Sequence, residues 1–122
     1  MIYLKKYESW KDIFKSKEYD IQQQFMISTL EDGFGITYPM NAASEGDLKK
    51  FKYYLNLEDK VNQQDKEGST TLMWVVTGEG TINDKANMIW LLIKKGEDPF
   101  ITDNNGKTFY EMVEEPELKK WL

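Results

Sequence analysis

A six-residue phrase occurs three times in this chain, and its spacing limits the possible folds more than any other feature. Asp32–Thr37 (DGFGIT), Asp65–Thr70 (DKEGST) and Asp103–Thr108 (DNNGKT) all read D-x-x-G-x-T, with starts 33 and then 38 residues apart. Composition alone would supply far fewer than one such match in 122 residues. A period in the thirties marks a stacked repeat, in which each unit hides its apolar face only against its neighbours. Proteins of that kind work by presenting a surface. Within each phrase, Asp and Gly flank a tight turn. The carboxylate accepts from nearby amides and the glycine takes a left-handed or crowded backbone position. Thr then stands where a helix begins, its hydroxyl accepting from an otherwise unpaired amide.

The segments after the second phrase support this reading. Leu72-Met73-Trp74-Val75-Val76 is a short apolar helix that ends at Thr77-Gly78-Glu79-Gly80. Met88-Ile89-Trp90-Leu91-Leu92-Ile93 belongs to a longer helix, with Lys94 and Lys95 suited to its C-terminus and Gly96 just beyond.

With these residues in place the chain resembles the ankyrin-repeat family, whose unit reads roughly D-x-x-G-x-T-P-L-H-x-A-A-x-x-G and closes with V-x-x-L-L-x-x-G-A-D. Residues 32–64 follow that unit without a gap through Asp32, Gly35, Thr37, Ala42-Ala43, Gly46, Leu48, Phe51, Tyr54-Leu55 and Val61-Asn62. Residues 65–102 follow it through Asp65, Gly68, Thr70, Leu72, Val75-Val76, Leu91-Leu92, Gly96 and Asp98, with five extra residues within Gly78–Lys85. Residues 103–122 form a truncated capping unit, with Asp103, Gly106, Thr108 and two short helices near 109–113 and 116–122. The resemblance implies an all-α ankyrin-repeat helical solenoid of about three units with short β-turn loops. The chain departs from the family at the T-P-L-H tetrad. It reads Thr37-Tyr38-Pro39-Met40, Thr70-Thr71-Leu72-Met73 and Thr108-Phe109-Tyr110-Glu111, so the histidine is absent each time and looser turns are expected.

Residues 1–31 do not match the unit. Tyr3, Tyr7, Trp10 and Phe14 fall on one helical stripe, and Ile21, Phe25, Met26 and Leu30 suggest a second helix. The expected role is an N-terminal helical cap over the open end of the stack. The alternative is a specialised partner-binding element.

Composition narrows the chemistry. The chain has no histidine and no cysteine, which removes the commonest general base and the usual transition-metal ligands. All sixteen basic residues are lysine and the net charge is −5. Without arginine forks and with that charge, direct nucleic-acid binding is not expected. An acidic chain suits a basic protein partner instead. No apolar run approaches a membrane span. Met1–Glu8 is charged where a signal peptide would be apolar, so the expected compartment is cytoplasmic. No catalytic residue, cofactor or metal site is expected. Glu111, Glu114, Glu115 and Glu117 read as a solvated helix face. Asp103–Gly106 lacks the register and closing glutamate of a calcium loop, and Gly78–Lys85 lacks the phosphate-loop spacing.

The family resemblance places partner contacts on the turn tips and on the exposed side of the inner helices. Carried over by position, the tips supply Gly33, Phe34, Ile36, Lys66, Glu67, Ser69, Asn104, Asn105 and Lys107. The inner helices supply Ser44, Glu45, Thr77 and Gly78; Trp74, whose edge could reach the same surface, and Glu79 of the insertion are further candidates. Phe34 and Ile36 are apolar where a tip is normally polar, which makes this tip the leading anchor. Trp74 and Trp90 read first as core, with contact the second reading for Trp74. The function expected from all this is a non-enzymatic protein-binding module in monomeric form. A small acidic inhibitor fits it best, such as a bacterial toxin-neutralising immunity protein that covers the active site of a basic toxin or nuclease. The alternative is a structural or assembly subunit of an oligomer or larger complex.

Overall fold

Each of the first two phrases turns the chain into a pair of antiparallel helices. The computed structural model describes residues 33–58 and 60–122, and the N-terminal cap expected over 1–31 lies outside the described residues. Helix α1 spans Tyr38–Glu45 and α2 spans Leu48–Leu57. Helix α3 spans Thr71–Thr77 and α4 spans Ile82–Lys95. After the third phrase come a single 3-10 turn, Tyr110–Met112, and α5, Pro116–Trp121.

The helix starts follow from their capping residues. The Thr37 hydroxyl accepts from the Met40 amide at 3.2 Å, and the Thr70 hydroxyl accepts from the Met73 amide at 3.4 Å. Asp47 caps α2 through the Lys50 amide and Thr81 caps α4 through the Asp84 amide. The missing histidine has a replacement in each copy. The Thr37 and Thr70 amides donate to the sulfur atoms of Met40 and Met73, both at 3.4 Å, so methionine closes the capping box with a weak thioether acceptor. At the third phrase the Thr108 amide donates to the Glu111 carboxylate at 2.8 Å, and a 3-10 turn stands where the sequence suggested a capped helix. The turns are not slack. The Lys66 amide donates to the Phe34 carbonyl at 2.8 Å, and the Asn104 amide donates to the Glu67 carbonyl at 2.9 Å, so the same bond joins the same two phrase positions at both junctions.

The helices form two layers. The inner row runs from α1 through α3 to the 3-10 turn, and the outer row runs from α2 through α4 to α5. Within a unit α1 packs on α2 and α3 packs on α4. The core between the layers contains Phe51, Leu72, Val75, Met88, Leu92 and Leu118, all fully buried. Truncating any of the larger aliphatic members would cost about 2–5 kcal/mol. Tyr38 of α1 and Tyr54 of α2 form a tilted ring pair, 5.2 Å between centroids, where the two helices of the first unit meet.

The five extra residues do not form a protruding loop. The connection between paired helices grows from two residues to four and the outer helix from ten to fourteen, while the inner helix is one shorter. The longer connection lies flat on its neighbour: the Glu79 amide donates to the Ser44 carbonyl at 3.0 Å. A Cβ on Gly78 would sit 2.5 Å from the Ala43 carbonyl oxygen, so only glycine admits this contact. On α4 the buried stripe is Lys85, Met88, Ile89 and Leu92. Trp90 points away from that stripe and is 64% exposed, which overturns its reading as core.

Candidate binding groove

One side of the stack is built from the turn tips and the inner helices. Asp65 organises its centre. One oxygen of its carboxylate accepts from the Glu67 and Ser69 amides at 2.9 and 2.8 Å, which shapes the turn. The other accepts from the Trp74 indole N–H at 2.9 Å, tying the turn to α3. Asp103 repeats the first half of this pattern on the Asn105 and Lys107 amides, both at 2.9 Å. Gln64, the last residue of the first unit, donates to the carbonyls of Gly68 and Thr102 near the two ends of the second. The motif glycines Gly35, Gly68 and Gly106 all have positive φ, which ordinary side chains resist.

Between this turn and α3 lies an open hollow of about 220 Å³, lined by Asp65, Glu67, Ser69, Met73, Trp74, Thr77 and Met112. A second hollow of about 230 Å³ adjoins it, sharing Thr77 and Met112 and reaching Lys85, Glu114 and Glu115. Thr77 and Met112 thus stand between the two hollows. In the second hollow the Lys85 ammonium is buried, donating to the Glu115 carboxylate at 2.8 Å and to the Val76 carbonyl at 3.1 Å. That hydrogen bond from Lys85 holds the Glu115 carboxyl below its ordinary range. The pair, thirty residues apart in sequence, clamps the last unit onto the second.

One carboxylate stands out behind the groove. Glu97 is 2% exposed and occupies the place of the alanine in the family's G-A-D helix end. Burial pushes its carboxyl up to about 7, against the opposing pull of the Leu72 amide at 3.2 Å and the Thr70 hydroxyl. The charge on Asp98 adds a smaller upward push. Glu97 therefore ties the end of α4 to the start of α3.

No protein-family model matches the sequence, and no curated protein does. Among solved structures, the ankyrin repeat domain of Bcl-3, a member of the IκB protein family, superposes with a TM-score of 0.63 at 16% identity. The match covers 77% of this chain and 39% of the Bcl-3 chain, so this chain spans well under half of its neighbour's length. The fold is the ankyrin-repeat fold.

Within that ankyrin stack, the structure gathers Glu67, Ser69, Trp74 and Thr77 around the first hollow. Lys66, Asn104, Asn105 and Lys107 are exposed at the neighbouring tips, where Asn104 also donates through its side chain to the Lys66 carbonyl. Phe34 is 61% exposed at the first tip, while Ile36 is half-buried. Glu45 lies apart at the end of α1, where it pairs with Lys50 at 3.2 Å and accepts from Asn41. Glu79 is exposed beyond α3. Trp74 is half-buried with its N–H already used, so it is neither plain core nor a free donor. Sequence reasoning missed Met112, a wall of both hollows, because the short 3-10 turn carries no repeat signature. It also missed Glu97, although a glutamate in an alanine position was visible. Among the described residues no group of acidic side chains is placed to hold a metal, and no helix is long and apolar enough to cross a membrane.

Proposed function

We propose that this chain is a protein-binding module that engages its partner with the concave side of the ankyrin stack. One observation carries the reading: the turns are held by their own backbone and aspartate bonds, leaving Phe34, Lys66, Glu67 and Lys107 projecting outward. A surface pre-organised in this way loses little freedom on binding. The net charge of −5 and the carboxylates of Asp65 and Glu67 favour a basic partner. Within this class the chain acts as a small inhibitor that covers another protein's active site, of the kind that neutralises a toxin or nuclease in bacteria. In that role the chain acts as a monomer and performs no catalysis.

The test is affinity capture of a partner followed by titration calorimetry with concave-face variants. Phe34→Asp and Glu67→Lys should each weaken binding about tenfold or more while leaving the helical circular dichroism signal unchanged. Unaltered affinity in both would place the interface elsewhere. A second reading, an assembly subunit, draws on the exposed apolar side chains outside the groove: Trp90, Ile93, Phe100 and Trp121. Light scattering separates the two, since an oligomer dissolved by Trp90→Asp would favour assembly.

A further inference from the structure

We propose that the Trp74 hollow is the seat for one cationic side chain, an arginine or a lysine, projecting from a protein partner; this rests on the protein-binding reading and names the chemistry of its contact. The hollow joins an apolar wall to an acidic rim. Met73, Trp74 and Met112 supply the wall, and Asp65 and Glu67 supply the rim. The stem of a long basic side chain suits the first and its charged head suits the second. Among the described residues, no lysine lines the hollow. Lys66 and Lys107 occupy turn positions outside it, and Lys85 belongs to the adjoining hollow.

The parts are already in place before binding. Three hydrogen bonds fix the Asp65 carboxylate, and one of them comes from the Trp74 indole, so ring and charge are held together. Glu67 is exposed, and its carboxylate takes part in no ion pair among the described residues. It can pair with an incoming cation without breaking an internal contact. The adjoining hollow differs on this point, because the Lys85 ammonium already answers Glu115 there. Each alternative occupant fails on the same chemistry. An anionic ligand such as a phosphate would face two carboxylates. A purely apolar side chain would strip water from them and return no partner. Between the two cations the geometry favours arginine, whose planar head can meet a carboxylate and lie against an indole together.

The test uses the full isotope-labelled chain and a defined probe, the peptide acetyl-Gly-Gly-Arg-Gly-Gly-amide, with a norleucine peptide of the same length as control. The indole N–H signal of Trp74 is identified by its loss in Trp74→Phe. The expected result is a saturable shift of that signal and of the Ser69 and Thr77 amides, with millimolar affinity. The affinity should fall about threefold in roughly 0.5 M salt and about fivefold in Glu67→Gln. The norleucine peptide should leave the indole unmoved. A shift that does not saturate, or that the norleucine peptide reproduces, overturns the proposal. If the arginine peptide leaves Trp74 silent while Phe34→Asp abolishes binding of a natural partner, the cation seat is refuted and the protein-binding reading stands. If the peptide binds as described but no concave-face variant affects any partner, the broader reading falls instead.

Discussion

Replacing Glu97 by glutamine should change how the stability of this protein depends on pH. In the folded chain the carboxyl titrates near 7, against an ordinary value of 4.5, because it is buried between the end of α4 and the start of α3. A folded-state value above the unfolded one means the folded chain holds its proton over the interval between them. The associated stability is complete below about pH 4.5 and is lost as pH rises through about 7. At 1.36 kcal/mol per unit, the shift corresponds to about 3 kcal/mol. Glutamine keeps an acceptor for the Leu72 amide at nearly the same position and cannot ionise. At pH 5 the variant should lie within about 1 kcal/mol of the parent. At pH 8 it should be more stable by about 2–3 kcal/mol. Urea unfolding followed by far-ultraviolet circular dichroism at several pH values gives both curves, and their difference isolates Glu97 because the other groups cancel. A flat difference between pH 5 and 8, or one that favours the parent at high pH, would refute the reasoning.

Other substitutions test the joints of the stack. Lys85→Met removes the partner of Glu115 and should cost about 2 kcal/mol, with amide exchange accelerating first in residues 109–121. Gly78→Ala drives a methyl group against the Ala43 carbonyl at 2.5 Å and should cost about 1–3 kcal/mol in unfolding free energy. Thr70→Ala removes the cap of α3 and a donor to Glu97, for a loss of about 1 kcal/mol or more by the same measurement. Met73→Leu deletes the sulfur acceptor and changes the branching of a buried side chain, and should cost less than about 1.5 kcal/mol.

Much of the stack was legible because its signals are local. Asp65 and Asp103 bond to amides two and four residues ahead, and Thr37 and Thr70 cap helices three residues ahead. Short-range chemistry of this kind repeats whenever the phrase repeats. What stayed hidden depends on contacts between units. Glu97 finds the Leu72 amide twenty-five residues back, and Lys85 finds Glu115 thirty residues on. Trp90 was misread because an apolar run does not state which side of a helix faces inward. The spacing of Lys85, Met88, Ile89 and Leu92 does so, but it places a lysine on the buried stripe, where periodicity alone would discount it. The groove was legible in part. The repeat register marked Glu67, Ser69 and Thr77 as outward and left Trp74 first as core, whereas its indole N–H reaches Asp65 and it lines one hollow with them and Met112.

The proposed partner surface is the side of the stack formed by the turn tips and the inner helices. Hydrogen–deuterium exchange on the free chain and on its complex tests this most directly. Binding should slow exchange in residues 33–36, 65–77 and 103–112 and leave the outward side of α4 unchanged. Protection confined to the region around Trp90 and Phe100, with those turns and α3 exchanging as in the free chain, would contradict it.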